Sequence, residues 1–165
     1  ATTYEGKSVY VIGGADGAVK EALYLARFAR QVSIVCVEDE LACIAEFRRK
    51  TAATPNIQVV PATRVGALHG ADRVEALDLV SLADGRTRTI EDDGCGVFVY
   101  AGSEPNTALY AGELRLENGF IPTNERMETS ISGVYAAGDI RAKQLRQVAT
   151  AVSDGAIAAV NAATL

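Results

Sequence analysis

The stretch from Lys7 to Ala29 restricts the possible folds more than any other part of the chain. Lys7 to Ile12 is a short β-branched and aromatic run. It ends on Gly13-Gly-Ala-Asp-Gly-Ala18, which opens a segment whose apolar residues Ala18, Ala22, Leu25, Ala26 and Ala29 recur at helical spacing. A strand that ends on glycines and passes straight into a helix is the start of a β-α-β unit. Val32 to Val37 is a second apolar run of strand length, as expected for a strand covered on both faces of a parallel sheet. Leu41 to Ala52 is helical by pattern and stops before Pro55, and Ile57 to Val60 makes a third strand. The order β-α-β-α-β is the mononucleotide-binding half of a doubly wound α/β fold, a Rossmann-like parallel sheet.

The period then changes. Thr63 to Leu68, Arg73 to Leu82 and Thr87 to Ile90 read as strands of an antiparallel meander, with Ala83-Asp-Gly-Arg86 as a hairpin turn. Gly96 to Ala101 returns as an apolar strand. Residues 1–102 are therefore expected to form one NAD(P)-binding-type domain, in which the meander replaces the usual next helix. Gly102-Ser-Glu-Pro-Asn106 is short, polar and Pro-containing, as a linker would be. Beyond it, Leu114 to Leu116 and Phe120 to Pro122 flank Glu117-Asn-Gly119 as a further expected hairpin. Residues 103–165 show little β-α repeat and read as part of a domain whose remainder lies elsewhere.

Within that tail, Gly133 to Ala137 is expected as a short strand, Gly138-Asp139 as a tight exit from it, and Arg146 to Ala163 as a helix rich in Ala and Val. An acidic residue leaving a strand just before a helix start is placed to grip a polar ligand at the carboxyl edge of a sheet.

Composition narrows the partners. A formal net charge of −5 argues against non-specific binding to nucleic acid or to an anionic membrane. The basic run Arg48-Arg-Lys50 closes a helix, where cations suit the macrodipole. No apolar run approaches the roughly 20 residues of a membrane span, and Ala1 to Lys7 lacks the apolar core of a signal peptide, so a cytoplasmic protein is expected. Cys36, Cys43 and Cys95 contain no Cys-x-x-Cys pair and read as reduced, buried thiols. His69, the sole histidine, reads as a turn residue beside Gly70, and no metal site is expected.

The turn after the first strand bears on a nicotinamide cofactor. In the dinucleotide fingerprint G-x-G-x-x-G/A the second glycine lets backbone approach the pyrophosphate. Here the register gives Gly13, then Gly14, then Ala15 where the second fingerprint glycine belongs, then Ala18 at the helix-packing position. A Cβ at Ala15 crowds a phosphate, although the helix start remains a generic anion site. After the second strand comes Cys36-Val-Glu-Asp-Glu40, acidic and without a neighbouring Arg or Lys in sequence. An NADP 2′-phosphate would meet repulsion there, whereas Glu38 could accept from an NAD ribose. Capping of the next helix by Glu38 or Asp39 is the plainer role for these acids.

Taken together, Gly6-Lys-Ser-Val-Tyr-Val-Ile-Gly-Gly14, Glu21-Ala-Leu-Tyr-Leu25, Asn106-Thr107, Glu117-Asn-Gly-Phe120, Thr129-Ser-Ile-Ser-Gly-Val-Tyr-Ala-Ala-Gly-Asp139 and Arg146-Gln147 resemble the thioredoxin reductase family of flavoproteins from end to end. In that family a nicotinamide domain is inserted into a split FAD domain, and the last segment is the FAD domain's return. The resemblance implies FAD as cofactor. It implies that Gly138 and Asp139 meet the ribityl chain, and that Arg146, Gln147 and Val148 sit beside the isoalloxazine. A helix start there would stabilise negative charge on the reduced ring.

Two departures qualify the resemblance. Members that use NADPH carry a further glycine in the first turn and a His-Arg-Arg cluster after the second strand, where this chain has Ala15 and Cys36-Val-Glu38. Gly13, Gly14, Ala15 and Glu38 thus form a degenerate nicotinamide site. In this the chain is similar to the flavin thioredoxin reductases that take electrons from ferredoxin, with an NADH-preferring relative using Glu38 as the alternative. The family's redox-active Cys-x-x-Cys is also missing, so no catalytic residue is assigned. The chain is expected to be the C-terminal part of a longer reductase acting on thioredoxin or a similar disulfide protein. An apolar helix face left open would be covered by another copy, so a homodimer is expected. The competing reading is a short, non-catalytic nucleotide-binding or docking module that uses the same fold.

Overall fold

The computed structural model describes residues 2–164. They divide into two compact units, one ending at Gly102 and the other beginning at Ser103.

The first unit is built around a parallel sheet. β1 (Ser8–Ile12) lies between β2 (Gln31–Val35) and β7 (Gly96–Val99), and β3 (Ile57–Val60) flanks β2, giving the order β3-β2-β1-β7. All three pairings are parallel, with Val9 opposite Val32 and Gly96, and Val11 opposite Ile34 and Phe98. Side chains alternate along a strand, and each face of this sheet has its own cover. Val9, Val11, Val32 and Ile34 pack with Ala18, Val19, Ala22 and Leu25 of α1 (Asp16–Leu25), while Tyr10 and Val35 pack with Leu77 and Leu79. That double cover is why β1 and β2 read as apolar runs rather than alternating ones.

Leu77 and Leu79 belong to the second layer, an antiparallel sheet of β4 (Thr63–His69), β5 (Ala76–Ser81) and β6 (Thr87–Glu91) in the order β4-β5-β6. The meander is therefore as expected, with shorter bounds. Arg73 to Glu75 lie outside β5, because the Glu75 N–H donates to the His69 carbonyl at 2.8 Å and closes the connection early. His69 is not a turn residue: it ends β4, and its Nε2 lies 2.9 Å from Asp78 Oδ2 on β5.

α2 (Ala45–Ala52) starts four residues later than the pattern predicts. Leu41 and Cys43 lie in irregular chain before the helix, buried in the core cluster that includes α1. Burial overrides helical periodicity there. Neither Glu38 nor Asp39 caps this helix; the Ile44 N–H at its start donates to Asp16 Oδ1 at 2.9 Å instead.

In the second unit the expected strands at Leu114 to Leu116, Phe120 to Pro122 and Gly133 to Ala137 do not form. These segments make isolated bridges, Glu117 with Phe120, Ile121 with Arg141, and Tyr135 with Glu128. A strand needs a neighbouring ladder for its amides, and none is available among the described residues of this unit. The last helix, α3 (Val148–Ala162), agrees with the expected one to within its terminal residues. Its Gln147 and Thr150 form a reciprocal capping box. Among the described residues no helix is long and apolar enough to cross a membrane.

Candidate functional site

Two regions carry chemistry, one in each unit. In the first unit, the carboxyl ends of β1, β2 and β7 open onto a cleft of about 500 Å³ lined by Gly13, Gly14, Ala15, Cys36, Glu38, Arg64 and Tyr100, among others. Backbone bonds set its rim: Gly13 N–H donates to the Val35 carbonyl at 2.8 Å and Tyr100 N–H to the Ile12 carbonyl at 2.7 Å. Gly13 has φ of +130°, and a Cβ there would collide with the Tyr100 carbonyl oxygen. Only glycine suits that corner. Ala15 immediately precedes α1, so the helix start points into the cleft.

Glu38 stands over this turn, since a Cβ on Gly14 would meet its Oε2 at 3.0 Å. Beneath it the buried Cys36 thiol is pushed above its ordinary pKa by burial and then by the Glu38 charge, so it stays protonated. Arg64 is the one cation among the cleft's lining residues, and sequence reasoning missed it. Thr63 N–H donates to the Cys36 carbonyl at 2.8 Å and Ala62 N–H to the Glu38 carbonyl at 2.9 Å. Those bonds stitch the start of β4 to the segment after β2, and so bring a residue 26 positions away in sequence to the Glu38 side of the cleft.

The second region is the turn before α3. Gly138, with φ of +85°, opens a single 3-10 turn, Gly138–Ile140. The Asp139 side chain is 64% exposed, with Lys143 Nζ 3.9 Å away. Gln147 is the N-cap of α3 and Val148, 83% exposed, its first residue. Arg146 is tied down. Its guanidinium lies 3.9 Å over the Phe120 ring, with Nε donating to the Asp139 carbonyl at 3.1 Å and a terminal nitrogen to the Arg141 carbonyl at 3.2 Å. The turn is also held by Asp154, whose carboxylate accepts from Gly138 N–H at 3.0 Å and pairs with Arg141 at 2.6 Å and Lys143 at 2.8 Å. Burial alone would raise the Asp154 carboxyl; Lys143, Arg141 and the Gly138 amide outweigh it and bring it down to about 2. Arg141, Lys143 and Asp154 were not singled out by sequence, although Asp154 is the only charged residue in α3, and Phe120 reads from sequence as part of a strand and of the Glu117-Asn-Gly-Phe120 motif rather than as a partner of Arg146.

Gly13, Gly14, Ala15 and Glu38 are thus brought together in one cleft, and Gly138, Asp139, Arg146, Gln147 and Val148 around one turn and helix start. Among the described residues there is no His, Cys, Asp and Glu cluster suited to a metal ion. Cys36, Cys43 and Cys95 are buried, free thiols.

The sequence pattern of the pyridine nucleotide-disulphide oxidoreductases matches residues 2–155, from before β1 to the middle of α3. The chain belongs to that family. Among proteins similar to this chain is a thioredoxin reductase from Peptoclostridium acidaminophilum, 41% identical over 98% of the chain and 53% of the relative. Another is the thioredoxin reductase of Bacillus subtilis, 37% identical over 94% of the chain and 49% of the relative. Of solved structures, Lactococcus lactis thioredoxin reductase in its FR conformation superimposes with a TM-score of 0.84 at 32% identity, over 99% of this chain and 54% of that one. The chain therefore spans about half the length of the relatives it matches.

Proposed function

We propose that the chain serves an FAD-dependent disulfide reductase acting on thioredoxin or a similar disulfide protein, with residues 1–102 as a nicotinamide-type domain and residues 103–165 as part of the FAD domain. The observation that carries this reading is the pairing of an outward-facing Asp139 carboxylate with the open start of α3. FAD, when bound, supplies the two-electron carrier between a reduced donor and a disulfide. The donor set fits such a group. Asp139 would accept from the hydroxyls of a ribityl chain. The Val148 and Ala149 N–H groups at the start of α3 have no intrahelical acceptor, the Thr150 N–H being taken by the Gln147 side chain, and they would stabilise negative charge on a bound flavin. Gln147 and Arg146 fix where that helix starts.

The nicotinamide cleft fits NADPH poorly. Ala15 carries a Cβ where pyrophosphate needs bare backbone, and the Glu38 carboxylate in the segment after β2 would repel a 2′-phosphate, a charge that NADH lacks. Arg64 is a single cation beside that acid and makes no cluster. These features support weakened NADPH binding, with a reduced ferredoxin as electron donor. NADH is the second reading, favoured by the position of Glu38 in the cleft, where it can accept from a ribose hydroxyl.

The test is anaerobic reduction of the flavin in the intact protein that carries this chain, followed by absorbance with NADPH, NADH and reduced ferredoxin in turn. Ferredoxin is expected to bleach the flavin fastest. Rapid bleaching by micromolar NADPH would refute the weakened-site reading, and bleaching by NADH but not NADPH would select the second one.

A further inference from the structure

Asp154 is the only buried residue of α3, a helix otherwise made mostly of Ala and Val. A buried carboxylate is costly unless fully paired, and a hydrophobic residue at that position would serve packing as well or better. The pairing here is complete and points one way. Oδ2 accepts from the Gly138 N–H at 3.0 Å and from Lys143 Nζ at 2.8 Å, and Oδ1 meets Arg141 at 2.6 Å. Arg141, Lys143 and Asp154 side chains are each only 10–12% exposed. All three of Asp154's partners lie in or just after the Gly138–Ile140 turn. Lys143 reaches onward to Thr150 Oγ1 at 3.3 Å and stands 3.9 Å from the Asp139 carboxylate. Asp154 is thus linked to Asp139 by way of both the Gly138 backbone and the Lys143 ammonium.

We propose that Asp154 is a positioning residue for the cofactor-facing turn: by holding Gly138 N–H, Arg141 and Lys143 together, it fixes the direction of the Asp139 carboxylate relative to the start of α3. The inference rests on the flavin reading above. It accounts for a charge at the one buried position of an apolar helix. It also accounts for an αL glycine, Gly138, whose amide is taken up by a side chain sixteen residues on.

The test uses the intact, flavin-loaded protein that carries this chain, with three variants: Asp154→Asn, Asp154→Glu and Asp139→Asn. The readouts are the FAD dissociation constant and the visible circular dichroism of the bound flavin, with Tm recorded alongside. Asp154→Asn, which removes the charge, is expected to weaken FAD at least about tenfold and to change the flavin dichroism, in keeping with loss of a buried charged partner. Asp154→Glu keeps the charge but displaces the acceptor, so an intermediate loss is expected; if the Asn variant fails to fold, this one decides. A lowered Tm with unchanged FAD affinity and dichroism in the Asp154 variants would overturn the proposal. If those variants are silent while Asp139→Asn weakens FAD, positioning alone is wrong. If the protein holds no flavin, or Asp139→Asn leaves its binding untouched, the flavin reading fails and the proposal falls with it.

Discussion

Two adjacent glycines give opposite expectations, and together they test the account of the first-unit cleft. Gly13 sits at φ of +130°, in a region nearly closed to other residues. A Cβ there would overlap the Tyr100 carbonyl oxygen and lie 2.9 Å from its carbon. Tyr100 cannot swing away freely, because its N–H is held by Ile12 at 2.7 Å while Gly13 N–H is held by Val35 at 2.8 Å. Backbone strain of about 1–3 kcal/mol and overpacking of about 1–3 kcal/mol then add to a loss of about 2–6 kcal/mol for Gly13→Ala. Gly14 has no such backbone demand, and its added Cβ would meet Cys36 Cβ and the movable Glu38 Oε2, each at 3.0 Å. Stiffening the unfolded chain offsets that crowding by about 0.4–1 kcal/mol, so Gly14→Ala is expected within about 1 kcal/mol of the parent. Urea unfolding followed by far-ultraviolet circular dichroism measures both, and amide exchange along β1 assigns the loss to the first unit. Equal losses in the two variants, or a Gly13→Ala protein as stable as its parent, would refute the reasoning.

Asp154 should make the second unit acid-sensitive. Its carboxyl is held down at about 2, so its stabilisation is present above the ordinary carboxyl value of about 4 and is lost as pH falls towards 2, a change of about 2 kcal/mol. Amide exchange in α3 should accelerate over that window in the parent and not in Asp154→Asn. Tyr10 gives the opposite sign. Burial, then the bond from its hydroxyl to Asp92 Oδ2 at 3.0 Å, raises its phenol well above the usual range. Its contribution is therefore intact below about pH 10 and lost as pH rises beyond it. An alkaline absorbance titration should show a phenolate that ionises last, later than Tyr100, whose phenol burial and then Glu21 also raise, and that Tyr10→Phe removes at a cost of about 1–2 kcal/mol; all six tyrosines ionising together would contradict this.

The β-α-β-α-β half and the meander were legible because their signals are local: glycines at a strand end, apolar periods of 3.6 and 2, an Asp-Gly turn. Errors arose where tertiary contact decides. Leu41 and Cys43 sit at helical spacing with α2, yet they are drawn into the core outside the helix. Val134 to Ala137 has the composition of a strand, but without a ladder it makes one bridge, at Tyr135. Arg64 could not be assigned to the cleft from spacing, because the hydrogen bonds that carry it there join segments separated by β3 and a corner. Asp154 was visible as a lone charge in an apolar helix. What sequence could not supply was which face of the helix it occupies.

Arg146 shows how the structure alters a reading that was right in location. The family resemblance sets Arg146 and Gln147 beside a flavin ring. In the fold the guanidinium is occupied by the Phe120 face and by two carbonyls of the turn. A cation engaged by three partners is a poor mobile counter-ion for a cofactor. On the proposed reading, the positive potential offered to a reduced flavin comes from the backbone amides at the start of α3, which Arg146 and Gln147 hold in place, while Asp139 supplies the acceptor. Electrostatic stabilisation of that kind needs no reorganisation when charge arrives. It also explains why the turn is pinned twice, by Asp154 at Gly138 and by Arg146 at Asp139. A half-turn error there would carry the carboxylate and the helix start out of register with each other.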